Sequence, residues 1–159
     1  MSTMSNVDFR LAEHKDLAVI VRMLADDPLG ATREDMPCSV DDQPAKAYRD
    51  AFADIQGDAR NELIVAELNG EVVGCLQLTY IPGLSRRGAE RAQIESVRVR
   101  RDQRGCGLGQ TLFQWAIDRA REKNCALVQL TTDAERTDAH AFYQRLGFTP
   151  SHTGMKLTF

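Results

Sequence analysis

Three glycines fall within five residues in Gly105-Cys106-Gly107-Leu108-Gly109, between an alternating stretch, Ala92–Val99, and an amphipathic one that begins at Leu108. Glycines at a strand-to-helix junction let the backbone turn tightly and leave its N–H groups unobstructed. The helix start adds the positive end of its dipole. A loop of this kind suits a phosphate or pyrophosphate, and Arg104 supplies a charged partner. The alternative is a glycine-rich helix start that serves only the chain reversal. Four arginines close by, Arg98, Arg100, Arg101 and Arg104, favour the anion-binding reading.

Two familiar phosphate fingerprints do not fit. A P-loop requires Gly-Lys-Ser/Thr, and here Gly109 is followed by Gln110-Thr111. A dinucleotide fingerprint requires G-x-G-x-x-G directly after a strand, whereas this spacing is G-x-G-x-G with the charged run Arg100-Arg101-Asp102-Gln103-Arg104 in between. The net charge of −3 over 159 residues argues against a dedicated nucleic-acid binder. It conceals an imbalance: residues 1–60 carry 12 acidic and 7 basic side chains, the remainder 11 and 13. The acidic excess concentrates between Asp26 and Asp42, the basic excess between Leu84 and Arg104. Two solvated faces or two differently charged ligands would both produce that pattern.

The rest of the chain reads as alternating strands and helices. Val7–Ala12 is expected to be a strand, and Asp16 to cap a helix from Leu17 to about Ala25. After a loop with Pro37 and Pro44 comes a weaker helix, Ala45–Ile55, ending at Gly57. Leu63–Leu68 and Val72–Ile81 form a hairpin about Asn69-Gly70. In the strand Ala92–Val99, strict alternation puts Glu95, Val97 and Val99 on one face and Ile94, Ser96 and Arg98 on the other. A helix from Leu108 to about Lys123 buries Leu108, Leu112, Trp115, Ala116 and Ala120. Ala126–Thr131 is a strand, Asp138–Leu146 a helix stopped by Gly147, and Met155–Phe159 a final strand. The order indicates a mixed α/β domain on a central sheet, with the whole of residues 1–159 in one domain.

The residues Arg104, Gly107 and Gly109 match the signature Arg/Gln-x-x-Gly-x-Gly/Ala of the GCN5-related N-acetyltransferases. The stretch Ala139-His140-Ala141-Phe142-Tyr143-Gln144-Arg145-Leu146-Gly147-Phe148 resembles the second coenzyme A motif of that family, A-x-x-F-Y-x-x-x-G-F. The resemblance implies a mixed sheet of about six or seven strands flanked by about four helices. It implies acetyl transfer from acetyl-CoA to a primary amine, by direct attack within a ternary complex and with no metal. The strand residues Val97, Arg98 and Val99 would lie along the pantetheine, and the loop Arg104, Gly105, Cys106, Gly107, Leu108, Gly109 and Gln110 would hold the phosphates. Tyr143 corresponds to the tyrosine that protonates the departing thiolate, its alternative being a packed aromatic beside Phe142 and Phe148. Glu95 stands where polyamine acetyltransferases carry a glutamate proposed as base; pairing with Arg98 is its alternative. The family often has an asparagine on the pantetheine arm seven residues before the tyrosine, and here that position is Arg136. A guanidinium donates but cannot accept, so the contact is modified or replaced.

In this family the acceptor site is built from the first helices and their connecting loop, which in this chain is the acidic stretch. A negative rim would attract a cationic amine: a polyamine, an aminoglycoside or a peptide amine. A reading of a different class is a CoA- or nucleotide-binding regulatory module without catalysis. Neither a nucleic-acid nor a membrane partner is expected. A homodimer is an expectation for which the sequence specifies no interface. Scattered Cys38, Cys75, Cys106 and Cys125, with no apolar leader at the start, suit the cytoplasm.

Overall fold

The computed structural model describes residues 6–35 and 43–159. Pro37, Cys38, Asp41 and Asp42 of the first inter-helix loop lie outside the described residues. Along the chain follow β1 (Val7–Leu11), α1 (Leu17–Ala25), α2 (Lys46–Gly57), β2 (Asn61–Leu68) and β3 (Glu71–Ile81). A single turn α3 (Ser85–Gly88) leads to β4 (Arg91–Val99), α4 (Leu108–Glu122), β5 (Leu127–Gln129) and α5 (Thr137–Arg145). The strands lie side by side in sequence order, antiparallel from β1 to β4, with β5 parallel to β4. This is the mixed α/β sheet that the sequence pattern indicates. Asn69 (φ 51°) and Gly70 (φ 82°) turn the β2–β3 hairpin with two left-handed residues, the geometry whose twist matches the strands.

The sheet is covered on both faces. On one, α4 lays Leu108, Leu112, Phe113, Ala116 and Ala120 on Ile64, Ala66, Leu76, Leu78 and Ile94. On the other, α1 and α2 lay Leu17, Ile20, Val21 and Phe52 on Leu63, Val65 and Cys75. Gly74 lets α4 come close: a Cβ there would sit 2.9 Å from Leu112 Cδ1. Trp115, expected on the buried stripe, is half-buried at its edge and stacks on Phe9 with ring centroids 5.3 Å apart. Phe113 takes the buried position instead, because the stripe of α4 is wide enough to present two aromatics to different neighbours.

Four expectations change. The sheet has five strands among the described residues, rather than six or seven. Met155–Phe159 alternates like a strand but forms none and is exposed, since among the described residues its backbone has no hydrogen-bond partner. Asp16 precedes α1 without capping it; its carboxylate accepts from the Glu13 N–H (2.8 Å) and from Arg10 (2.7 Å). The alternation along β4 is also broken. Gln77 pairs with Glu95 and Cys75 with Arg98, so β4 carries one residue more than β3 across that interval. Ser96, at φ 54°, is part of this bulge. Val97 and Val99 therefore share the α4 face with Ile94, and Glu95 shares the opposite face with Arg98.

One ion pair ties the sheet to the end of α4. Glu62 is only 8% exposed and accepts from Tyr80 (2.9 Å) and from Arg119 through Nη2 (2.7 Å) and Nε (3.1 Å). Burial pushes the Glu62 carboxyl up, but the Arg119 guanidinium and the Tyr80 hydroxyl together hold it below the ordinary range. Arg119→Ala leaves Lys123, 3.6 Å away, as the remaining cation. Urea unfolding at pH 7 should show a loss of about 2 kcal/mol, a buried-pair cost discounted for the exposed side of Arg119. A carboxylate with a lowered folded value contributes stability above its unfolded value, roughly pH 4.3, and loses it as pH falls through the lowered one. The difference between the two proteins should accordingly shrink below about pH 4.

Candidate active site

The bulge at Ser96 and the shortness of β5 together create an opening. β5 pairs with β4 only through Arg91, Ala92 and Gln93, so from Ile94 to Val99 the outer edge of β4 faces no strand among the described residues. Along an extended strand a residue's N–H and C=O point to the same side, and successive residues alternate. Arg100 N–H donates to Val73 O of β3 (2.8 Å), so the polar groups of Val99 point the other way, into the opening. Those of Val97 do the same by alternation. Two guanidiniums take the carbonyls: Arg98 Nη1 donates to Val97 O (2.9 Å) and Arg104 Nε to Val99 O (3.0 Å). The N–H groups on that edge remain for a ligand.

The opening runs into a groove of about 460 Å³. Val99, Arg104, Gly105, Gly107 and Gly109 line one side, with Phe142 and Arg145 of α5 opposite. Gly105 (φ 78°) and Gly107 (φ 85°) are left-handed, a conformation that side-chain-bearing residues adopt at a cost. Gly109 is not; a Cβ there would meet Phe142 at 3.9 Å and Val99 at 4.0 Å, ordinary contact. This agrees with a signature that admits alanine at the second position. The N–H groups from Gly105 to Gln110 have no acceptor among the described residues and lie at the start of the 15-residue helix α4. Backbone donors, a helix dipole and arginines in one groove fit a diphosphate. Leu108 is not part of that lining; it is buried under α4. Cys106 is exposed, with no contact that marks it as a nucleophile.

Tyr143 lies on α5, which Gly147 (φ 97°) closes with the Phe148 N–H donating to Tyr143 O (3.0 Å). Its ring packs edge-on against Phe113, Phe142 and Phe148. Burial pushes the Tyr143 phenol above the usual tyrosine range, and the charges of Arg136 and Arg98 offset part of that rise. The hydroxyl is thus held in its proton-donating form. Glu95 is exposed on β4 and accepts from Gln93 Nε2 (3.1 Å), not from Arg98.

Sequence reasoning missed the role of the two aspartates after α1. Asp26 bonds both Arg101 and Arg104, the latter at 3.1 Å. Asp27 lies 3.3 Å from Arg98 and 3.3 Å from Arg136. Burial pushes the Asp27 carboxyl up, but the Gly30 N–H and the two arginines hold it below the ordinary range. The acidic and basic stretches of the sequence are therefore each other's partners here. Arg98 retains a buried Nε without an acceptor among the described residues. Arg145 was also missed, although its place one turn beyond Phe142 aims it into the same groove.

Known proteins carry the same architecture. The model of the acetyltransferase (GNAT) family matches residues 29–148. An aminoalkylphosphonate N-acetyltransferase of Salmonella typhimurium is 35% identical over 107 residues, covering 67% of this chain and 69% of that protein. A crystal structure of a transcriptional regulator from Bacillus halodurans C-125 is 47% identical with a TM-score of 0.91, over 97% of this chain and 100% of that one. An acetyltransferase from Trypanosoma brucei is 26% identical with a TM-score of 0.75, over 97% of this chain and 100% of its own. With the glycine loop, the opened strand edge and a family match across both, this chain belongs to the GNAT family of acetyl-CoA-dependent N-acetyltransferases.

Proposed function

We propose that the protein acetylates a primary amine whose other end is anionic, by direct attack within a ternary complex. Acetyl-CoA supplies the acetyl group as a thioester. The N–H groups of Gly105 to Gln110, with Arg104 and Arg145, are the residues that would hold its phosphates. The free N–H groups of Val97 and Val99 would receive the pantetheine arm, and one of them would donate to the carbonyl oxygen as negative charge develops there.

An amine is mostly protonated at neutral pH, so a base must free its lone pair. Glu95 is exposed at the bulge and takes that proton through water. The amine nitrogen bonds to the thioester carbon, the C–S bond breaks, the thiolate takes the proton of the Tyr143 hydroxyl, and the phenolate so formed recovers a proton from the new amide nitrogen. The place of Tyr143 on α5, in the stretch that resembles the second coenzyme A motif, supports this role.

The acceptor's anionic end rests on one observation: Asp27 is shared by two guanidiniums, Arg98 and Arg136, leaving a net positive charge beside the loop after α1. The sequence count suggested a cationic acceptor. Yet Asp26 and Asp27 are held by arginines and Glu34 by the Tyr48 hydroxyl at 2.7 Å, while Asp41 and Asp42 lie outside the described residues. The likeness to an aminoalkylphosphonate N-acetyltransferase supports the same class. On this reading Arg136 serves the acceptor rather than the pantetheine arm.

Tyr143→Phe should lower kcat about 100-fold, a usual general-acid contribution, with CoA affinity by calorimetry unchanged. An unchanged kcat would remove Tyr143 from the chemistry. Glu95→Gln should depress the rate at pH 7 and regain it as pH rises toward the amine's own value, about 10; a constant deficit at every pH would mean that Glu95 is not the base. For the acceptor, Arg136→Ala should raise KM for a 2-aminoethylphosphonate about tenfold, the value of one charge-assisted hydrogen bond. KM for an uncharged alkylamine of similar length should stay within about twofold; equal effects on both would contradict an anion contact.

A further inference from the structure

Glu95 stands where β4 and β5 part, and it is tied to both strands. In that parallel pair Gln93 lies directly opposite Gln129, the last residue of β5. Ala92 and Ile94 point into the core under α4, so Gln93 and Glu95 leave the opposite face of the sheet together. Gln129 shares their face as the rung partner of Gln93. The bulge at Ser96 follows immediately.

Across this last rung runs a chain of side-chain hydrogen bonds. Gln129 Nε2 donates to Gln93 Oε1 (2.8 Å), and Gln93 Nε2 donates to Glu95 Oε1 (3.1 Å). The chain has one direction. An ionised carboxylate only accepts, so Gln93 must turn its amide nitrogen to Glu95; its oxygen then faces Gln129, which must present its own nitrogen. The polar neighbours on β3 are engaged elsewhere. Gln77 lies opposite Glu95 and Thr79 opposite Gln93, yet Gln77 Nε2 (3.1 Å) and Thr79 Oγ1 (2.8 Å) both donate to Asn61 Oδ1. The arginines of β4 on this face also turn away, Arg98 to Asp27 and Arg91 to the turn at Gly83.

An exposed glutamate alone samples many rotamers, whereas a base must lie within hydrogen-bond reach of the proton that it takes. We infer that Gln93 and Gln129 are positioning residues: they hold the Glu95 carboxylate by Oε1 and leave Oε2 for the water that takes the amine's proton. This rests on the reading of Glu95 as the base. Carboxamides suit the task because they are neutral. A guanidinium in the place of Gln93 would orient the carboxylate too, but its charge would make Glu95 a weaker base. Because Gln129 belongs to β5, the carboxylate is also fixed relative to the strand on the far side of the opening.

Steady-state kinetics of Gln93→Met, which keeps the length of the side chain and removes its hydrogen bonds, tests this. At pH 7 kcat should fall about tenfold, the value of one charge-assisted hydrogen bond, with KM for acetyl-CoA within about twofold. The deficit should fade toward about pH 10, where the amine needs no base. In a Glu95→Gln background the same substitution should change nothing further. Gln129→Met, one bond removed from the base, should cost about threefold with the same pH pattern. A Gln93→Met deficit that persists at high pH, or in the Glu95→Gln background, would overturn the proposal. Full kcat in Gln93→Met beside a pH-dependent deficit in Glu95→Gln would overturn it and leave Glu95 as the base; full kcat in Glu95→Gln would overturn both. Should Gln93→Met fail to fold, side-chain amide NMR of the intact chain decides. The signals of Gln93 and Gln129 should shift together as Glu95 ionises and lose that shift in Glu95→Gln, and signals indifferent to Glu95 would overturn the proposal.

Discussion

The extra residue in β4 governs this molecule. A regular strand from Arg91 to Val99 would point Val97 to the face of Glu95 and Arg98 to the face of Ile94. The bulge at Ser96 exchanges them. Val97 and Val99 are thereby packed against α4, while Arg98 is delivered to Asp27 and Glu95 is left exposed. The bulge also coincides with the point where β5 stops pairing, so the outer N–H groups of β4 face the groove. The open strand edge, the Asp27–Arg98 pair and the exposure of Glu95 all follow from one irregularity. A non-glycine residue at φ 54° is the local strain that accompanies it.

A second layer of organisation is electrostatic. The strongly charged segments, one after α1 and one around the β4–α4 junction, are distant in sequence and adjacent in the fold. Asp26 holds Arg101 and Arg104 at the glycine loop, and Asp27 holds Arg98 and Arg136 near Tyr143. Each carboxylate is thus outnumbered by its cations, and both regions keep a positive balance. Such pairs position long side chains as much as they stabilise the fold, since exposed ion pairs contribute little energy.

Much of this was legible in the sequence. The four longer helices, the Asn69-Gly70 hairpin and the tight glycine loop before α4 follow from period, turn chemistry and glycine spacing, all local signals. The face assignments of β4 were not legible, because a bulge is decided by pairing with β3 and leaves no mark in the alternation of Ala92 to Val99. The pairing of the charged stretches was hidden for a similar reason: counting acids between Asp26 and Asp42 cannot reveal that Asp26 and Asp27 meet arginines from Arg98 onward, far along the chain. The final strand failed in a different way. Met155–Phe159 has strand character, but a strand exists only where its backbone is paired, and among the described residues that backbone has no partner.

The account stands on the claim that the outer edge of β4 and the loop after it are where acetyl-CoA is held. Residue-resolved amide exchange with and without CoA addresses this directly. The account predicts that the N–H groups of Val97 and Val99, and those from Gly105 to Gln110, become strongly protected on saturation with CoA, because each then acquires an acceptor. Protection confined to other parts of the chain, with these groups exchanging as freely as before, would contradict it.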